Sequence, residues 1–150
     1  VDVVIYATGY NVRFPFLDET LIKVEDNHLP LFQRVIKPGI PNLFFMGLAQ
    51  PLPTLVNLAE RQARWVASYL TGEYALPGTA EMERIIVADE KQFAGRFHTS
   101  SKHRMQVHFD AYCRNLEREW RRGRARAARN GRALPLPARA GRLTLVAEPA

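Results

Sequence analysis

The chain of 150 residues holds a single cysteine, Cys113, so an internal disulfide framework is excluded. Such usage fits a reducing compartment, and a cytoplasmic location is the expectation. No apolar run approaches the ~18 residues that a membrane-crossing helix needs, and no secretory signal pattern occurs. Phosphate-cradling loops of the GxGxxG or GxxxxGK type are missing, and no serine stands in a nucleophile elbow. The four histidines, His28, His98, His103 and His108, lack metal-ligand company. His103 and His108 are five apart and so off one helical face, and only Cys113 can add sulfur, so no metal is expected. If the chain takes part in chemistry, a cofactor must carry it.

Charge is present but uneven. The net +6 comes from the end of the chain: residues 121–150 carry eight arginines against one acid, Glu148, while residues 1–120 carry 13 Lys and Arg against 14 Asp and Glu. A basic tail can contact nucleic acid or another anionic surface. This one interleaves arginine with Ala, Gly, Leu and Pro and has no aromatic side chain to stack on bases, so nucleic acid is an unfavoured partner.

What is there is organised around Asn42 to Leu70. Leu43-Phe44-Phe45-Met46 reads as a strand buried on both faces, as in a parallel sheet, and Gly47 ends it. After the turn Leu48–Pro53, Thr54 can cap a helix in which Leu55, Leu58, Ala59, Gln62, Ala63, Val66 and Leu70 recur on one face, with Gly72 as the stop. A strand, a glycine turn and a helix whose start points back at the strand end form a common ligand site, because free N–H groups and the helix dipole favour an electron-rich group there. An ordinary crossover has the same pattern.

Upstream, Val3 to Ala7 reads as another buried strand, closing on Thr8-Gly9-Tyr10, where glycine permits a sharp turn. Phe14–Leu17 is an irregular apolar loop around Pro15. Leu21–Val24 and His28–Phe32 flank Glu25-Asp26-Asn27 as a hairpin, with Pro30 marking an edge. Lys37–Asn42 is rich in turn residues. Past the Tyr74–Gly78 linker, Thr79 caps a second helix that buries Met82, Ile85, Ile86 and Phe93. A third starts near Lys102, with Met105, Phe109, Tyr112, Cys113, Leu116 and Trp120 as a packing stripe. The apolar face fades from Arg121, and the end of the chain is expected to be disordered.

Three sequence blocks in this order, DVVIYATGY with FPFL, PNLFFMGLAQPLPTLVNLAERQARWVASYLTG, and RFHTSSKHRMQVHFDAYCRNL, closely resemble the carboxyl-terminal third of the flavin-containing monooxygenases over residues 1–120. The resemblance implies an α/β class: the end of a Rossmann-like flavoprotein with two dinucleotide-binding domains, incomplete in this chain, followed by a helical extension. Residues 1–78 would close the FAD domain, 79–122 form the extension and 123–150 the Arg-rich tail. By likeness Thr8, Gly9 and Tyr10 lie at the crossover between the FAD and NADPH domains, and Gln50, Pro51, Leu52, Pro53 and Thr54 lie by the pyrimidine side of the flavin.

The implied chemistry is reduction of FAD by NADPH and transfer of one atom of O2, through a flavin C4a-hydroperoxide, to a soft nitrogen or sulfur of a small molecule. Baeyer–Villiger oxygenation of a ketone is the neighbouring alternative, and a non-catalytic remnant with an anion-binding tail is the alternative from another class. The start within an apolar strand, with no nucleotide fingerprint before it, leads to the expectation of a piece of a longer enzyme that is inactive alone and exposes a sheet edge. Oligomeric state and substrate identity are not encoded in these motifs.

Overall fold

The computed structural model describes residues 2–7, 9–52, 54–93 and 105–130. Two short strands and three helices follow in the order β1 (Gln50–Leu52), α1 (Leu55–Leu70), α2 (Thr79–Phe93), β2 (Gln106–His108) and α3 (Phe109–Arg129). The strands pair in parallel, with Gln50 opposite Gln106, Pro51 opposite Val107 and Leu52 opposite His108. The Gln50 N–H donates to the Met105 carbonyl at 2.8 Å. Pro51 has no N–H to offer, which a two-stranded pair with open edges tolerates. None of the described helices is long and apolar enough to cross a membrane.

Each strand runs directly into a helix. α1 buries Leu58, Gln62, Trp65, Val66 and Ser68. This differs from the expected face at both ends, since Leu55 and Leu70 are about half exposed while Trp65 is fully covered. Trp65 meets Phe32 and Tyr74 with ring centroids 5.9 and 5.3 Å apart. At roughly 25 cal/mol per Å2 over the 150–250 Å2 of such a ring, its burial contributes about 4–6 kcal/mol. The helix stops where expected: Gly72 adopts φ 74°, and its N–H donates to the Tyr69 carbonyl at 3.0 Å. Met82 and Ile86 of α2 and Tyr112 and Leu116 of α3 complete this core.

A smaller cluster of Leu17, Ile22, Leu29, Leu31 and Phe45 sits under the loops before Gly47. Of the expected hairpin only the turn forms: Glu25 and His28 exchange paired hydrogen bonds, Asp26 and Asn27 both have positive φ, and neither Leu21–Val24 nor His28–Phe32 becomes a strand. Phe14–Leu17 closes as a turn through Leu17 N–H to the Phe14 carbonyl at 2.9 Å.

Two further expected strands do not form. Leu43–Met46 contributes only an isolated bridge between Phe44 and Ile36, because Asn42 (φ 61°) and Gly47 (φ 73°) turn the chain at both ends and leave four residues between them. Val3 to Ala7 has no ladder, and its side chains are open to solvent, Ile5 at 86%. A strand made to be covered on both faces needs neighbours, and the described residues supply none there.

The third helix also differs from expectation. Met105 is buried ahead of β2, so α3 begins at Phe109 rather than near Lys102. It continues to Arg129, past the point where the tail was expected to lose structure, because Gly123 and Ala127 form a small-residue face against the chain after α1. Ala75 N–H donates to the Gly123 carbonyl at 3.1 Å, and Arg126 Nε donates to the Ala75 carbonyl at 3.0 Å. The rest of the expected tail, residues 131–150, lies outside the described residues.

Candidate functional site

Gly47 opens the approach to α1. Its φ of 73° is a conformation that side-chain-bearing residues rarely adopt, although a Cβ there would meet only Ala59, at 3.9 Å. From Gly47 the chain passes through β1 and reaches Thr54, whose extended φ and ψ of −134° and 124° place it at the N-cap position of α1. The Thr54 side chain makes no capping hydrogen bond, contrary to expectation. Thr54→Ala should therefore leave stability within about 0.5 kcal/mol of the parent. A loss of about 1 kcal/mol in urea unfolding would restore the capping role.

The consequence is chemical. The first N–H groups of α1 are not taken by the cap, no acid stands in the first turn, and the helix dipole adds partial positive charge. Around them Gln50, Leu52 and Leu55 are exposed, Leu52 at 67%. A donor-rich helix start with apolar side chains beside it suits a flat, largely apolar ring with an electron-rich carbonyl edge. A flavin ring fits that donor set.

β2 and α3 repeat the arrangement. His108 precedes α3 without a side-chain cap, and because β1 and β2 are parallel, the starts of α1 and α3 lie at the same end of the pair. This partner went unread in the sequence. The usable signal was Asp110 in the first turn and Arg126 and Arg129 in the last, the charge order that a helix dipole favours.

Of the expected site residues, Thr8 and Pro53 lie outside the described residues. Gly9 does take a positive φ, 83°. Tyr10 is 96% exposed and so packs on no part of β1 or α1. The structure thus brings Gln50, Pro51, Leu52 and Thr54 together at one helix start, and the Tyr10 side chain packs on none of them.

Behind this turn runs a buried polar chain. Gly47 N–H donates to Gln62 Oε1 at 2.9 Å, Gln62 Nε2 donates to the Tyr112 hydroxyl at 2.9 Å, and that hydroxyl donates to the Gln33 carbonyl at 2.8 Å. Burial pushes the Tyr112 phenol far above its ordinary value, so it remains a neutral donor. Gln33 (φ 50°) and Arg34 (φ 58°) are both left-handed. Arg34 is held by Asp89 of α2, with Nε 2.9 Å and Nη2 2.8 Å from Oδ2.

The two larger of the recesses given by the described residues lie away from β1. One of about 550 Å3 is bounded by the Asn11–Leu17 loop and the Asp26–Asn27 turn. The other, about 490 Å3, is lined by Arg61 of α1 and by Cys113, Arg114 and Arg121 of α3. Burial raises the Cys113 thiol above its ordinary value, against the weaker opposing pull of Arg61, so it is not an activated nucleophile. Among the described residues no group of three or more His, Cys, Asp or Glu is placed to hold a metal ion.

The family model for flavin-binding monooxygenase-like proteins matches residues 1–120. The rat protein Flavin-containing monooxygenase 5 is 37% identical over 108 residues, 71% of this chain and 20% of its own length. Rabbit Dimethylaniline monooxygenase [N-oxide-forming] 2 is 33% identical over 121 residues, 79% of this chain and 23% of its own. The solved structure of S-allyl-L-cysteine S-oxygenase from Allium sativum superposes with a TM-score of 0.61 at 29% identity, covering 82% of this chain and 31% of that one. The chain spans about a fifth of the length of the curated relatives it matches.

Proposed function

This chain belongs to the flavin-binding monooxygenase-like family, and from that membership we propose that it serves an FAD- and NADPH-dependent monooxygenase as the end of the FAD domain in a two-dinucleotide-domain flavoprotein. The observation that carries the reading is the uncapped start of α1, fed by the Gly47 turn and free of acids. When bound, FAD with NADPH supplies the redox chemistry that activates O2 and gives one oxygen atom to a soft nitrogen or sulfur centre. The activities for which two relatives are named, N-oxide formation and S-oxygenation, favour that substrate class over a ketone.

The tasks of this chain are binding and polarisation. Backbone N–H groups of Leu55 and its successors in the first turn of α1 would stabilise negative charge on the carbonyl edge of the ring. Leu52 and Leu55, exposed beside that helix start, would cover the ring side and keep water from it. By family likeness Gly9 and Tyr10 would stand at the crossover toward the nicotinamide nucleotide. No side-chain nucleophile is required.

The test is to purify the protein that carries this chain in its natural reading frame, and to record its visible spectrum and its NADPH oxidation with a thioether, a tertiary amine and a ketone. The expected result is a bound yellow flavin and products one oxygen heavier from the thioether or amine. A colourless protein that takes up no FAD overturns the proposal, and oxygenation of the ketone alone moves it to Baeyer–Villiger chemistry.

A further inference from the structure

Gln62 sits on α1 about two turns beyond the helix start, yet it reaches back to the residue that opens the approach to that start. It is fully buried, and both ends of its amide are used: Oε1 accepts from Gly47 N–H, and Nε2 donates to Tyr112. Its orientation is dictated by its neighbours. Tyr112 must accept from Gln62 because its own proton goes to the Gln33 carbonyl. A glutamate at position 62 has no N–H for Tyr112, and a leucine accepts nothing from Gly47.

The far end of the chain is a turn under strain. Two consecutive residues other than glycine in left-handed backbone, Gln33 and Arg34, cost about 1–2 kcal/mol each and persist only where surroundings hold them. Tyr112 from α3 and Asp89 from α2 do the holding. The approach to α1 is thus fixed at its start by Gln62, in its middle by the Gln50 bond to Met105, and at its end by the helix itself.

We infer that Gln62, seconded by Tyr112, is a positioning residue for the cofactor: it sets the path of Gly47–Leu52 so that the start of α1 meets the ring edge. This rests on the flavin reading above and adds the residue that maintains the geometry. Gln62 touches no cofactor itself. Packing alone does not call for it, since an apolar residue of similar length fills the same volume.

The experiment compares Gln62→Met, Tyr112→Phe and Trp65→Phe in the whole protein. Trp65→Phe loosens the same buried face and leaves the polar chain intact. Hydrogen exchange of the Gly47 amide is followed without cofactor, and FAD affinity by flavin fluorescence. In Gln62→Met, exchange at Gly47 and the Kd for FAD should each rise at least tenfold; Tyr112→Phe should raise the Kd three- to tenfold, and Trp65→Phe should stay within twofold of the parent. A Gln62→Met protein with parental FAD affinity overturns the inference while the flavin reading stands. If that variant does not fold, unchanged affinity in Tyr112→Phe overturns it equally. A parent that binds no FAD removes the reading and the inference together.

Discussion

Replacing Gly123 by alanine is expected to lower the unfolding free energy by roughly 2–5 kcal/mol, a severe effect for a single methyl group. A Cβ at that position overlaps the Tyr74 ring at Cε2 and Cδ2 and comes within 2.8 Å of Cζ. The ring has nowhere to go, being 2% exposed and packed against Trp65. Moving it also breaks the 2.8 Å bond from the Tyr74 hydroxyl to Glu119, a carboxylate that is 3% exposed. Arg126 remains on Glu119 but has lost the geometry of the cluster. Urea unfolding reads the loss, and Tyr74→Leu in the Gly123→Ala background should recover part of it by vacating the ring volume. A Gly123→Ala protein within 0.5 kcal/mol of the parent would mean that α3 does not seat on Tyr74.

The second large effect is expected from Arg34→Ala, at about 3 kcal/mol, because it leaves one member of a buried ion pair behind. The Asp89 side chain is 20% exposed, so partial hydration keeps the loss toward the lower end of the range for such pairs. The sign of the pH dependence follows from Asp89. Burial raises its carboxyl above the ordinary 3.8, and Arg34 opposes that rise. Without the guanidinium the folded-state value climbs further, so the folded protein holds a proton that the unfolded chain releases. The deficit of the variant is therefore smallest near pH 4, grows as pH rises through the folded-state value, and is largest at neutral pH. Midpoints of urea unfolding at pH 4.5 and 7 test this, and a deficit that shrinks toward neutral pH contradicts the assignment.

The contrast between these clusters and the sequence shows what local pattern can carry. α1 and α2 were legible because their signals are local: a periodic apolar face, a turn before and Gly72 after the first. Trp65 was missed because the buried face is set by what α1 packs on, not by its own spacing. β1 was not legible at all, since Gln-Pro-Leu has little strand character and pairs only because Gln106–His108 lies alongside, 56 residues later in the register. The apolar runs near residues 3 and 43 were read as strands, but a run says that a segment wants cover and does not supply a partner. The second half of α3 hid its buried face in Gly123, Ala127 and the stem of Arg126, residues that read as an unstructured arginine tract. At the site, the helix start at Thr54 was readable from turn chemistry. The Gln62–Tyr112 link was not, because its members are 50 residues apart.

The parallel pairing also sets an order of events during synthesis. β1 is made 56 residues before the end of its only described partner strand, so at 5–20 residues per second the nascent chain carries an unpaired Gln50–Leu52 for roughly 3–11 s. α1 can coil in microseconds within that interval, but the approach to it has no ladder and Gln62 has no Tyr112. The start of α1 is therefore the last part to close, and a ribosome that stalls between residues 70 and 105 holds a helix whose apolar face invites chaperones.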